Sequence, residues 1–190
     1  ILPAAAGMIL LREELVVFLF QRGAFGIYET VFTVKILLGY LIGLPFYCVY
    51  YLLSKAEYAM GKGNIAFFAS CISVGTNVCL DFILAPVYGA FGVALATSVA
   101  GMTPIAFLLI HLVKLKGFTL TRKQCREILK TIVATLLMSV ALWLIGDRFS
   151  YSKPFFVFEL VFGVLVYFSV LLFLRKQEME KLFQRWRRKR

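Results

Sequence analysis

Long apolar blocks separated by short polar connections run the length of this chain. Six helical spans can be drawn on them, at about residues 4–20, 31–54, 65–85, 90–113, 127–146 and 154–174. Each is close to the ~20 apolar residues that cross a hydrocarbon core of roughly 30 Å. The connections fall at 21–30, 55–64, 86–89, 114–126 and 146–153, and residues 175–190 form a basic tail. The pattern predicts an all-α integral membrane protein of six transmembrane helices.

The third and fourth spans carry the most informative polar positions. They are joined by Pro86-Val87-Tyr88-Gly89, which predicts a tight turn. Asn77 and Asp81 stand four apart on one span and Val93 and Thr97 four apart on the other, so each pair shares a helix face. Folding about residue 87 puts position 81 level with 93 and 77 level with 97. If those faces meet, a carboxylate, an amide oxygen, a hydroxyl and a backbone carbonyl converge at one depth. A hard cation takes such oxygen ligands, and ionisable groups inside a span tend to mark ion or substrate paths. The plainer account has Asp81 wetted near the turn, with Asn77 and Thr97 merely bonding between helices.

The first span is interrupted by Arg12-Glu13-Glu14. Consecutive residues point about 100° apart on a helix, so the three cannot face one partner. Either the helix breaks beside a watery cavity or the charges compensate one another inside the bundle. Arg12, with Glu29 and Lys35 near the start of the second span, is a substrate-path candidate; for Glu29 and Lys35 the alternative is an interfacial or snorkelling charge. Arg22 and Gly23 read as the last turn and left-handed stop of the first span. Gly39 and Gly43 make a GxxxG pair that lets a neighbouring helix approach closely. Pro45 behind them, and Pro104 in the fourth span, are places where a helix can bend.

Composition then narrows the class. Of 190 residues, 61% are hydrophobic and 16% charged, which places the chain among membrane proteins. The net charge of +11 invites a nucleic-acid partner, but the cations stand at helix ends, where they set topology and meet anionic lipid. One side holds Lys55, Lys62, Lys114, Lys116, Arg122, Lys123, Arg126 and Lys130, and then the tail; the other has Arg22, Lys35, Arg148 and Lys153. The positive-inside rule therefore predicts a cytoplasmic C-terminus, with the Arg22 and Pro86 connections outside. The tail, with apolar residues at helical spacing and basic neighbours, is expected along the inner leaflet. The last two spans are almost wholly aliphatic and aromatic and look lipid-facing.

Cys48, Cys71, Cys79 and Cys125 form no CxxC pair and read as free thiols, and His111 sits alone near a helix end; neither zinc nor a disulfide framework is expected. Ile1 runs straight into an apolar run without an initiator Met, basic n-region or cleavage site. The expectation is the C-terminal piece of a longer chain.

Several stretches, taken in order, resemble one family. They are Leu2-Pro3, then Leu19-Phe20-Gln21-Arg22-Gly23-Ala24-Phe25, Tyr40 with Gly43-Leu44-Pro45, Glu57-Tyr58-Ala59, Asn77, and Gly89-Ala90-Phe91-Gly92-Val93-Ala94-Leu95-Ala96-Thr97-Ser98. Together they resemble the C-terminal lobe of the MurJ/MviN lipid II flippases, of the multidrug/oligosaccharidyl-lipid/polysaccharide exporter superfamily. The motifs cover about residues 1–113, and helix count and charge pattern cover the rest. The resemblance implies a fourteen-helix transporter of two lobes, of which these would be the last six helices. It implies movement of an undecaprenyl-linked peptidoglycan precursor across the bacterial inner membrane by alternating access, with the last two helices forming a groove for the polyprenyl tail. It also implies a sodium site at Asn77, Asp81, Val93 and Thr97, completed by an acid from an earlier helix. Arg22, Gly23, Phe25, Gly89 and Gly92 belong to its motifs. The implied partners are a lipid-linked glycan, membrane lipid and the N-terminal lobe, with sodium the one implied cofactor.

Two departures stand beside the likeness. Residues 58–64 lack the family's Asp-Thr…Pro pattern, and the arginines that grip pyrophosphate belong mainly to the other lobe. A polysaccharide flippase or a cation-coupled drug exporter of the same superfamily is the near alternative, and a regulatory membrane subunit a further one. A membrane glycosyl or acyl transferase fits worse: the loop acids are Glu57, Glu127 and Asp147, with no His/Asp/Glu constellation.

Overall fold

The computed structural model describes residues 1–116, 121–146 and 153–187, with side chains over 1–114, 121–146 and 155–175. Seven helices follow one another: α1 (Leu2–Leu10), α2 (Arg12–Phe20), α3 (Ile27–Ala59), α4 (Gly63–Tyr88), α5 (Ala90–Lys116), α6 (Arg122–Gly146) and α7 (Lys153–Arg187). They form two compact units, α1–α5 and α6–α7. Among the described residues, five helices, α3 to α7, are each long and apolar enough to cross a membrane. The fold is that of an all-α, multi-pass membrane protein.

The first expected span is two nine-residue helices that meet at Leu11. The break explains the three charges. Arg12 Nη1 donates to the carbonyl of Ile9 in the last turn of α1, at 2.8 Å, and Arg12 lies 3.5 Å from Glu13. Glu13 and Glu14 occupy the first turn of α2, where negative charge suits the helix dipole. A cation thus satisfies one helix end and two acids face the start of the next.

Elsewhere the helices outrun the apolar blocks. α3 extends from Ile27 to Ala59, about 50 Å at 1.5 Å per residue, because Glu29 caps its start and Lys55, Ala56 and Glu57 are strong helix formers. α4 passes through Pro86 to Tyr88, so the expected four-residue turn shrinks to Gly89 alone. Gly89 has φ +59° and ψ −140°, a conformation that only glycine adopts without strain. α7 continues as one helix past the expected end at residue 174 into the tail. Parts of the 114–126 and 146–153 connections and the side chains of the basic tail beyond Arg175 lie outside the described residues.

In the first unit α5 is the central element, packed on α3 along one face and on α4 along another. The α3 contact uses small residues. A Cβ at Gly39 would lie 2.7 Å from Ala94 Cβ, one at Gly43 would lie 2.5 Å from Ser98 Cα, and Tyr47 covers Gly101. Ser98 Oγ also donates to the Gly39 carbonyl. The GxxxG pair on α3 therefore meets a small-xxx-small pair on α5, which is how helices gain contact in lipid without a hydrophobic driving force between them.

The α4 contact is antiparallel and has polar links. Pro104 removes the N–H that would bond the Ala100 carbonyl. Ser73 Oγ, on α4, donates to that carbonyl at 2.9 Å, and Thr103 Oγ1 approaches it at 3.3 Å. Gly92 lets the α4 backbone come close, since a Cβ there would strike the Leu84 carbonyl.

In the second unit Gly163 on α7 receives Leu142 of α6. Glu127 near the start of α6 binds Lys130 at 2.8 Å and Arg175 of α7 at 2.9 Å. Thr131 and Thr135 return their hydroxyls to carbonyls one turn back. The remaining surface of this pair, from Leu136 and Trp143 to Phe168 and Phe173, is apolar and exposed, as lipid-facing helices require.

Candidate functional site

Two antiparallel helices with almost no connection between them have a determined register, and that register builds the candidate site. α4 and α5 place position 77 level with 97, and Asn77 Nδ2 donates to Thr97 Oγ1 at 3.3 Å. Thr97 Oγ1 in turn donates to the Val93 carbonyl at 2.9 Å, so Val93 enters through its backbone. Asp81 stands one turn from Asn77. Its Oδ1 is buried without a hydrogen-bond partner, although the residue as a whole is only half-buried.

With its amide turned over, Asn77 donates instead to Asp81 Oδ2 at 3.3 Å and accepts from Thr97 N at 3.2 Å, and this orientation satisfies both ends of the amide. Asp81 also lines a cleft of about 410 Å³ with Val78, Phe82, Ala85 and Pro86.

The other candidate residues are placed as follows. α2 ends at Phe20 with Gln21 as its C-cap, so Arg22 and Gly23 lie beyond the helix and are not its last turn and stop. Gly23, with φ +58°, sits in the turn closed by Phe25 N on the Arg22 carbonyl at 3.2 Å. Arg22 is exposed, and Phe25 packs against Phe20 with ring centres 6.0 Å apart. Glu29 accepts the Gly26 N–H at 2.9 Å, capping α3, and is exposed; Lys35 is exposed one and a half turns on. Arg12 is held at the α1–α2 junction. Pro45 lies inside a continuous α3. None of these is brought to the Asn77–Asp81–Thr97 cluster by a bond.

A second polar constellation does not follow from motif reading. Glu57, whose side chain is wholly buried, meets His111 with Oε1 2.8 Å from Nδ1. Separated by 54 positions, they look unrelated in the chain. The signal that finds them is the parallel register of α3 and α5. Gly39 faces Ala94, Gly43 faces Ser98 and Tyr47 faces Gly101, and this nearly constant offset carries on to Glu57 and His111.

Comparison with known proteins follows the same outline. A family model described as "Lipid II flippase MurJ" matches residues 1–165. The lipid II flippase MurJ of Thermosipho africanus is 32% identical over 166 residues, covering 87% of this chain and 33% of that protein. A probable lipid II flippase MurJ of Thermotoga maritima is 32% identical over 186 residues, covering 97% of this chain and 37% of its own length. A solved structure titled "Lipid II flippase MurJ, inward closed conformation" superposes with a TM-score of 0.82 at 32% identity, over 94% of this chain and 36% of that one. The chain thus spans about a third of the length of the relatives it matches.

Proposed function

The chain belongs to the MurJ lipid II flippase family, and from that premise we propose that the protein containing it moves lipid II across the bacterial inner membrane by alternating access. In this reading α1–α7 supply the C-terminal lobe of a two-lobed transporter, and the partners are lipid II, membrane lipid and the N-terminal lobe. The activity is translocation and not covalent chemistry. The observation that carries the reading is likeness to a MurJ structure over 94% of the chain at a TM-score of 0.82. The C-terminus is cytoplasmic, in keeping with the basic connections on that side.

Within the lobe, we assign a sodium site to Asn77, Asp81, Val93 and Thr97. The support is chemical: an amide, a carboxylate, a hydroxyl and a backbone carbonyl converge between α4 and α5, and one Asp81 oxygen is buried without a partner. Sodium bound here would be held by the Asp81 carboxylate, the Asn77 amide oxygen, the Thr97 hydroxyl and the Val93 carbonyl, and would supply the positive charge that the buried Asp81 oxygen lacks. Arg12, Glu29 and Lys35 are the charged groups of this lobe to vary when tracing the substrate path.

The deciding experiment is complementation of a strain depleted of its lipid II flippase, using the full-length gene. Rescue is expected. Failure of rescue alongside restored export of another lipid-linked glycan would move the cargo assignment to the polysaccharide branch of the superfamily.

A further inference from the structure

We propose that Glu57 and His111 form a proton-binding site that clasps α3 to α5 at the end next to the α3–α4 turn. Glu57 is fully buried, its Oε1 is bonded to His111 Nδ1, and its Oε2 is buried without a partner. Ser54, one turn earlier on α3, is buried with its hydroxyl also unpartnered. Two buried oxygens left unpartnered within one turn of α3 are not an economical way to pack two helices. An apolar pair of similar volume holds such a crossing without desolvating a carboxylate.

The charge balance gives the arrangement its sense. With Nδ1–H donating to Oε1 and Nε2 bare, the pair carries one negative charge. Uptake of one proton from water makes it imidazolium with carboxylate, or imidazole with carboxylic acid, and in either form the net charge is zero. No other bond forms or breaks. His111 provides the route, because 19% of its side chain is exposed while Glu57 has none.

Nearby charges do not do the proton's work. On α3, Lys55 is exposed and lies over the Tyr51 ring at 5.2 Å, and Tyr58 is exposed. In the turn, Lys62 gives its backbone N–H to the Glu57 carbonyl, and on α5 Lys114 is exposed. None of these side chains bonds to Glu57 or His111. The first two turns of α4, from Gly63 to Ser70, contain no titratable residue. α2, about 14 Å long, follows the Ile27 end of α3 and cannot reach this level.

The consequence is mechanical. The protonated pair is neutral and draws the two helix ends together. The deprotonated pair leaves a buried charge, which favours water entry and separation of those ends. This goes beyond the sodium reading and does not depend on it: Thr97 and His111 are fourteen residues, about 21 Å, apart along α5.

The test uses the full-length protein, purified in detergent without sodium, with thermal unfolding followed between about pH 5 and 8, the range in which imidazole changes charge. Wild type is expected to lose several degrees of Tm as pH rises, because the clasp is complete only when protonated. Glu57→Gln and His111→Gln should each remove that slope. Should either single variant fail to fold, Glu57→Leu with His111→Leu replaces both partners by apolar groups, a change that is often tolerated, and should fold with a flat profile. Ser73→Ala, a destabilising change on α4 outside both polar clusters, should keep the wild-type slope. The proposal is overturned if the variants at 57 and 111 retain the slope, or if Ser73→Ala loses it as well, which would make the slope a property of general destabilisation.

Discussion

At the scale of single residues, the polar groups of this lobe fall into those that finish backbone hydrogen bonding and those that do not. Ser73, Thr131, Thr135 and Glu29 each close a backbone account. Asp81 and Glu57 keep an unpartnered buried oxygen, and in lipid that cost is not carried idly. Replacing Asp81 by Ala in the full-length protein should abolish stabilisation by sodium; a sodium-dependent thermal shift equal to wild type would count against the ion site. Gly89→Ala should destabilise by about 1–3 kcal/mol, since a Cβ is strained at that backbone geometry. Denaturation of the two proteins side by side checks it. Asn77 and Asp81 were legible from their four-residue spacing. The hydrogen-bond partners of the Asn77 amide were not, because they depend on how α4 packs against α5.

Among elements, close approach is the governing quantity. α5 touches α3 through Gly39, Gly43, Ala94 and Ser98, so Gly43→Leu should separate these helices and lower expression and Tm together. The Pro104 region offers a sharper check. Ser73→Ala should cost on the order of 1 kcal/mol, because Ala100 then keeps only the longer contact from Thr103. In a Pro104→Ala background the restored N–H takes the carbonyl, and the Ser73 effect should shrink. A double-mutant cycle in thermal or denaturant unfolding measures that coupling. The GxxxG pair was visible in the sequence, whereas its partner on α5 was not, since a small-residue pair names no address.

For the whole molecule, orientation and cargo are the questions. Alternation of the six apolar blocks would assign the sixteen-residue tail 175–190 and the connections holding Lys55, Lys62 and residues 114–130 to one side, which we propose is the cytoplasmic one. A reporter fused after Arg190 should therefore be active only if it is a cytoplasmic one; activity of a periplasmic reporter there would reverse the topology. Six apolar blocks were readable as spans, and five appear as single long helices. The first became two helices, because Arg12 can serve the end of α1 and Glu13 and Glu14 the start of α2 only if the chain breaks between them.

By itself, the order of residues determined that this chain is a helical membrane lobe, which way its charges bias it, and which oxygens share a face of α4 or α5. Those properties depend on local periodicity and on the cost of placing charge in hydrocarbon. Tertiary structure alone decided that α5 stands between α3 and α4, that Gly89 makes the whole turn, and that Glu57 meets His111. Such pairings depend on how far one helix slides along another, and that is settled by packing small residues against each other across the lobe.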